Sequence, residues 1–389
     1  MELLQPVIQP YAWGSRRAIA DLQGRPVPSS GPEAELWLGA HPSAPSGAAG
    51  TTLDAVIAAD PVRELGPRCV ARFGPRLPFL LKVLSAEQAL SIQVHPSRPQ
   101  AEAGFRLGSP NYVDDWPKPE LLCALTPFEV LAGLRTPPDA AALLRALAVA
   151  RLAPLAAELE AATSPQVLSR ALATVLSWPD PEDLISAVVP ACAALAAVGG
   201  PYAAACAATV RVAGEHPGDL GVVATLLIRH VVLAPGQAVF LPAGGLHTYL
   251  HGTGIEVLAN SDNVIRAGLT GKHVDVPELL KLLDPAAAVP VLSPVPLGDG
   301  VGWFDTPAPE FALYVADLTE DAVTLPGTGP RIVLCTAGLA ALHTESGESV
   351  KLPRGESCFV PAADGPLRAA GPARLFLAAP APPAIPQAQ

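Results

Sequence analysis

The chain has 389 residues, with 25 Lys+Arg against 36 Asp+Glu and a formal net charge of −11. That acidity excludes a general nucleic-acid binder, which needs a basic face to meet phosphates. Hydrophobic residues at 50% and charged residues at 16% mark a chain that builds a core, and 45 prolines divide it into short elements.

Taken from the start, residues 1–6 lack the basic stretch and apolar run of a secretory signal. Residues 70–94 read as strands, with 77–84 an apolar run of strand length and 90–95 alternating. Ser97 and Gln100 have capping-box spacing and open a helix to about residue 107. From 136 to 217 alanine and leucine dominate, and helix starts are legible at Thr136-Pro137, Ser164-Pro165 and Asp180-Pro181. This reads as an inserted helical domain that at most walls a cleft. Its uncharged run, 184–210, is broken by Pro190 and Gly199-Gly200-Pro201, so it reads as a buried helix pair and not a membrane span. Strands return at 226–228, 231–233, 238–241 and 254–258. Asp275 caps a helix over 276–283, short strands and turns follow from 290, and 378–389 reads as a loose tail. The six cysteines have no CxxC spacing and read as buried thiols of a reducing cytosol.

Four places carry chemistry. In Ser91-Ile92-Gln93-Val94-His95 strand alternation puts Gln93 and His95 on one face. Polar groups there need a partner, which a metal ion would provide. Two prolines stiffen Trp116-Pro117-Lys118-Pro119-Glu120 and fix where Lys118 and Glu120 point. His247 sits in a frame of Gly236, Pro242 and Gly244. A Gln93/His95/Glu120/His247 set suits zinc with one position open, while iron or manganese also fits the ligand types. His251 is a reserve ligand, and His41, His216, His230, His273 and His343 read as surface or core residues. Arg266, between Ile265 and Ala267, needs an anionic partner.

The His247 frame resembles the second signature of the cupin superfamily, and Gln93-Val94-His95 resembles the first with glutamine leading. Residues 236–243 recur in kind at 355–362, without a histidine after the second proline. The expected fold is mainly β with an α-helical insertion, as tandem cupin-type jelly-roll β-barrels. The expected domains are a metal-binding catalytic unit (1–135 plus 218–285), a helical insert (136–217) and a metal-free β unit (286–389).

The chain further resembles the type I phosphomannose isomerases over its N-terminal third and from about residue 221 to 283, while the helical insert and the last hundred residues match only in kind. The matching residues are Tyr11-Ala12-Trp13-Gly14-Ser15, Ala34 through Pro42, Leu77 through Pro96, Lys118-Pro119-Glu120, Leu125-Thr126-Pro127-Phe128, Pro242 through Tyr249 and Glu256 through Thr270. The resemblance implies a cytoplasmic enzyme with one Zn2+ per chain that interconverts mannose 6-phosphate and fructose 6-phosphate through an enediol. It implies zinc ligands at Gln93, His95, Glu120 and His247, and an active-site arginine at Arg266 that stabilises the oxyanion with zinc. One departure stands out: the family reads Asn-His-Lys-Pro-Glu where this chain has Trp116-Pro117-Lys118-Pro119-Glu120, so Pro117 replaces a family histidine. Asp262, Glu256 and Lys118 are candidate bases. Ser91, Lys82, Lys118 and Trp13 are candidate contacts to the phosphate or the sugar. The expected partner is a small sugar phosphate, with neither nucleic acid nor membrane, and the chain is expected to be a monomer or weak homo-oligomer. The rival readings are a cupin metalloenzyme of another class, an iron oxygenase or sugar epimerase, and a non-catalytic sugar-phosphate-binding module.

Overall fold

The computed structural model describes residues 1–382. Two antiparallel sheets of 11 and 10 strands dominate it, and helices fill most of the chain between 137 and 224. The 11-stranded sheet forms two layers that share one long strand, His247–Ala259. The C-terminal half of this strand pairs with Phe79–Ala86 and Glu120–Ala124. Its N-terminal half pairs with Phe128–Leu134 and, at His247, with Ile92–Val94. The 10-stranded sheet repeats the plan. Arg331–Thr344 pairs with Ser357–Val360 and Ala373–Ala379 in one layer, and with Ser349–Pro353 and Leu367–Ala370 in the other.

The repeated sequence motif occupies matching places in both units. Gly236 and Gly355 sit at left-handed φ of 87° and 85°. The strands Ala238–Leu241 and Ser357–Val360 follow, and a proline ends each one. Glycine is required at 355 for a second reason: a Cβ there would lie 2.4 Å from the Leu22 carbonyl oxygen. The strand Glu2–Leu3 is added to the second unit's sheet beside Ser357–Val360.

The two units pack through the outer faces of their sheets. Leu81, Val83, Leu121, Cys123, Ile255 and Val257 of the first meet Leu313, Val315, Ile332, Leu334 and Phe376 of the second. Strand alternation then decides what faces inward. With Leu81 and Val83 turned to the interface, Lys82 and Leu84 face the interior. With Leu121, Cys123, Ile255 and Val257 outward, Glu120, Leu122 and Glu256 are inside. Both faces are buried, which is why these strands read as continuous apolar runs with isolated charges.

Several expectations change. Val70 lies in a helix, Pro67–Phe73, because Gly66 at φ 80° ends the helix Pro61–Leu65 and Pro67 opens the next. Leu226 and Leu227 lie in a 3-10 turn, Thr225–Leu227, where the Thr225 hydroxyl donates back to Val222 O at 2.6 Å; the strand begins at Ile228. Arg331–Thr344 runs 14 residues, longer than the short strands expected after 290. Ala378 and Ala379 end a buried strand, and residues 383–389 of the expected tail lie outside the described residues. Thr136, Asp180 and Asp275 cap their helices through the N–H groups of Asp139, Asp183 and Glu278. Ser164 is not an N-cap: the helix starts at Gln166, and Ser164 Oγ accepts only a long 3.4 Å bond from Gln166 N. The helices Pro181–Val198 and Ala203–Glu215 pack as a pair. The first is less buried than expected, with Leu184, Val188 and Cys192 inside and Ile185, Val189 and Leu195 partly buried against the core; by length and composition alone it could cross a membrane. All six cysteines are buried and unpaired.

Candidate active site

The interior face of the first unit opens into a cavity of about 400 Å³. Strands and loops from distant parts of the chain bring charged side chains to it. Gln93 is the direct cross-strand partner of His247 on one side and of Arg266 on the other, so all three share a face. His95 follows two residues later on that face. Glu120 arrives from the stiff Pro117–Pro119 segment, with Oε2 3.4 Å from both His95 Nε2 and His247 Nε2. The ligand atoms of His95, Glu120 and His247 lie within 4.8 Å of one another, and all three residues are buried. His251 is exposed and lies outside this cluster.

The surroundings of the histidines test whether a cation fits. His95 Nδ1 lies 2.9 Å from Asn263 O and His247 Nδ1 lies 3.0 Å from Gly245 O. A carbonyl only accepts, so each Nδ1 carries the proton and each Nε2 presents a lone pair. Both Nε2 atoms are buried without a hydrogen-bond partner among the described residues. Burial lowers the pKa of His95, which keeps the ring neutral. Burial alone would raise Glu120, yet the carboxyl is held well below the ordinary range, and the charge of the Lys118 ammonium contributes to that. Two lone pairs and a carboxylate therefore converge with no proton between them. That arrangement is costly unless a cation sits at its centre, and the donor set suits zinc.

A second layer fixes these ligands. Asn263 is fully buried; its Nδ2 donates to Trp116 O at 2.9 Å and Asp114 O at 2.8 Å, and its Oδ1 accepts from Val113 N at 2.8 Å. The same residue's carbonyl orients His95, so one turn ties the Glu120 loop to a ligand. Arg76 stacks on the Trp116 ring at 3.9 Å, beside the Pro117 segment. The dense turn 260–263, readable as an ordinary loop, is this brace.

The remaining expected site residues also border the cavity: Trp13, Lys82, Ser91, Lys118, Glu256 and Asp262. Lys82 is only 6% exposed, between Glu35 at 3.2 Å and Glu256 at 3.5 Å, and lies 4.9 Å over the Trp37 ring. Burial would lower its pKa, but the two carboxylates raise it, so it stays charged. Glu256 Oε1 accepts from the Tyr249 hydroxyl at 2.8 Å. Burial, and then the charge of Glu120, push the Glu256 carboxyl up to about 7. Lys118 Nζ lies 3.5 Å from Glu120 Oε1.

Four residues had no local signature in the sequence: Glu35, His41, Tyr249 and Lys272 all line the cavity. His41 is a correction, since it is neither a surface nor a plain core histidine. Its Nδ1 accepts from Ser43 N at 3.2 Å, so the proton sits on Nε2, which faces Asp262 Oδ1 at 3.3 Å. That hydrogen bond lowers the pKa of Asp262. Lys272 lies 5.3 Å over the Tyr11 ring. Burial lowers its pKa, and the charge of Arg266 lowers it further. Neither Arg266 nor Lys272 has a carboxylate within salt-bridge distance among the described residues; Arg266 is half-buried and Lys272 borders the cavity from its exposed rim, so both cations are unpaired there.

Residues 1–137 match the model for the phosphomannose isomerase type I catalytic domain. The chain is 38% identical over 394 residues to the mannose-6-phosphate isomerase of Escherichia coli (strain K12), covering 96% of this chain and 98% of that protein. It is 35% identical over 367 residues to the enzyme of the same name from Aspergillus fumigatus, with 80% and 79% covered. Its backbone superposes on the apo mannose 6-phosphate isomerase of Salmonella typhimurium with a TM-score of 0.87 at 35% identity, covering 97% of this chain and 98% of that one. A mannose 6-phosphate isomerase bound with zinc and yttrium gives a TM-score of 0.86 at 35% identity, with the same coverage. With relatives this similar along nearly its whole length, the chain belongs to the type I phosphomannose isomerase family.

Proposed function

We propose that the chain interconverts mannose 6-phosphate and fructose 6-phosphate, with one zinc ion held by Gln93, His95, Glu120 and His247. One observation carries this reading: the buried His95–Glu120–His247 cluster borders a cavity that also presents Arg266 and Lys272 without carboxylate partners. Bound zinc supplies Lewis acidity that stabilises negative charge on a substrate oxygen. Arg266, level with Gln93, adds a permanent positive charge beside the ligands, where the enediolate oxygen develops. Together with Lys272 it also meets the phosphate.

The proton that moves between C1 and C2 goes to Glu256, the best placed of the three candidate bases. One of its oxygens is held by Tyr249, and a carboxyl near neutrality both takes and returns a proton. Asp262 is held as a carboxylate by His41 and accepts from a sugar hydroxyl. Lys118 offsets the charge of Glu120, and Ser91 and Trp13 supply a hydroxyl and a ring face to the sugar. Lys82 is committed to its two carboxylates and holds them in place. Pro117 carries no transferable proton, and His41 is the cavity histidine beside Asp262. We also read each two-layered β unit as a cupin-type jelly roll, the first formed mainly by 1–135 and 218–285 with the strand Val291–Leu292 added, the second by the chain that follows with the strand Glu2–Leu3 added, and 136–217 as the insertion.

The test is a coupled assay of aldose–ketose conversion on mannose 6-phosphate, before and after chelation and after zinc is restored. Turnover is expected to disappear with chelation and return with zinc. A protein that turns over no hexose phosphate in any of these states defeats the reading. A narrower test concerns His41. His41→Ala removes the ring N–H that faces the Asp262 carboxylate at 3.3 Å. It is expected to lower kcat/KM about 10- to 100-fold with zinc content unchanged; unchanged kinetics would remove His41 from the site.

A further inference from the structure

The two unpaired cations of the cavity sit at the ends of one irregular segment, Arg266 to Lys272. The strand Ile265–Gly268 loses register with Ile92–Val94 between Arg266 and Gly268. The next residue, Leu269, is buried at φ 56°, a left-handed conformation that leucine adopts only when its surroundings force it. A single carboxylate does so. Asp219 Oδ2 accepts from Leu269 N at 2.7 Å and from Thr270 N at 3.4 Å, while Oδ1 accepts from Gly221 N at 2.7 Å. Two glycines let the backbones close around it: a Cβ on Gly268 would lie 2.7 Å from Asp219 Oδ1, and one on Gly221 would lie 2.8 Å from it. Past this clamp, Lys272 N donates to Thr270 Oγ1 at 3.0 Å, and the Lys272 side chain lies over Tyr11.

Asp219 belongs to the link between the helices Ala203–Glu215 and Gly221–Ala224, not to the strands that carry the metal cluster. The same link grips a second part of the cavity wall. Glu215 Oε2 accepts from Ala89 N at 2.8 Å, and His216 Nε2 lies 3.2 Å from Ala89 O, next to Leu90 and Ser91. The helical segment therefore does more than wall the cleft.

We propose that Asp219 is a positioning residue that fixes the Leu269–Lys272 turn and so aims Lys272, alongside Arg266, at the phosphate of the sugar. The proposal rests on the assignment of Arg266 and Lys272 to the phosphate. It predicts an effect on substrate anchoring and not on the metal or the proton transfer.

The experiment compares Asp219→Ala, Asp219→Asn, Lys272→Ala and the Asp219→Ala/Lys272→Ala double variant in the zinc-loaded enzyme. Asp219→Ala is expected to raise both KM for mannose 6-phosphate and the inhibition constant of inorganic phosphate about tenfold, with kcat changed less than about threefold. Zinc content is expected to be unchanged. Asp219→Asn keeps one acceptor oxygen and gives a smaller shift of the same kind; it carries the test if Asp219→Ala does not accumulate as folded protein. In the Lys272→Ala background the Asp219 substitution is expected to add nothing to KM, because the group it aims is gone. The clamp is overturned if Lys272→Ala raises both constants while the Asp219 variants leave them unchanged, or if the two substitutions add independently. If Lys272→Ala itself leaves both constants unchanged, the phosphate assignment fails and takes the proposal with it.

Discussion

Glu120→Gln is expected to lose bound zinc and at least ~10³-fold in kcat/KM, about 4 kcal/mol of transition-state stabilisation. The substitution is nearly isosteric, so the loss traces to charge. Glu120 is the only carboxylate in the ligand set, and it faces the lone pairs of His95 and His247 at 3.4 Å each. A glutamine amide turned toward them offers N–H donors to Nε2 atoms that otherwise lack a partner. The metal-free variant is therefore expected to be at least as heat-stable as the metal-free parent, while the parent gains stability on zinc addition and the variant does not. Metal analysis and melting curves with and without zinc read this out independently of turnover. A variant that keeps one zinc per chain and normal kinetics would remove Glu120 from the ligand set.

The parts of the site that the sequence reveals are those coded by short-range geometry. Gln93 and His95 are one strand period apart, Glu120 follows two prolines, and His247 sits in a glycine–proline frame, so each announces itself within a few residues. The residues that went unread depend on pairing across long stretches of chain. Glu35 meets Lys82 because the strand Glu35–Leu38 lies beside Phe79–Ala86, and Lys82 meets Glu256 because their strands are in register. No local spacing encodes either meeting. His41 gains its role from a carboxylate 221 positions later in the chain, and Asp219 acts through backbone N–H groups, which leave no trace in side-chain patterns. The misread elements have a related cause. Leu226-Leu227-Ile228 is an apolar triplet equally suited to strand or helix, and only the helical turn before it, closed by the Thr225 hydroxyl, settles the matter. At 67–73 the Gly66-Pro67 pair was the helix signal, and the apolar stretch following it masked that signal.

Lys82→Met is expected to cost about 3–5 kcal/mol of stability, the usual penalty for removing one partner from a buried ion cluster. Glu35 and Glu256 are 7% and 3% exposed and share Lys82 as their cation. Trp37 Nε1 and the Tyr249 hydroxyl donate to them at 2.5 Å and 2.8 Å, which satisfies single oxygens without supplying charge. Burial and Glu120 already push the Glu256 carboxyl up to about 7, and Lys82 is the group that opposes the rise. Without it the folded-state value climbs further above the unfolded value of about 4.3. A carboxyl raised on folding favours the folded state at low pH and loses that contribution as pH rises through the folded value. The deficit of Lys82→Met relative to the parent is therefore expected to be small near pH 5 and to grow toward pH 8, measured as a fall in the urea midpoint. The triple variant Glu35→Gln, Lys82→Met, Glu256→Gln removes all three charges while keeping oxygen acceptors for Trp37 and Tyr249. It is expected to recover most of the midpoint yet remain inactive, because Glu256 no longer moves a proton. If Lys82→Met is as stable as the parent at pH 8, the cluster holds no net stabilisation and Lys82 is free for another role.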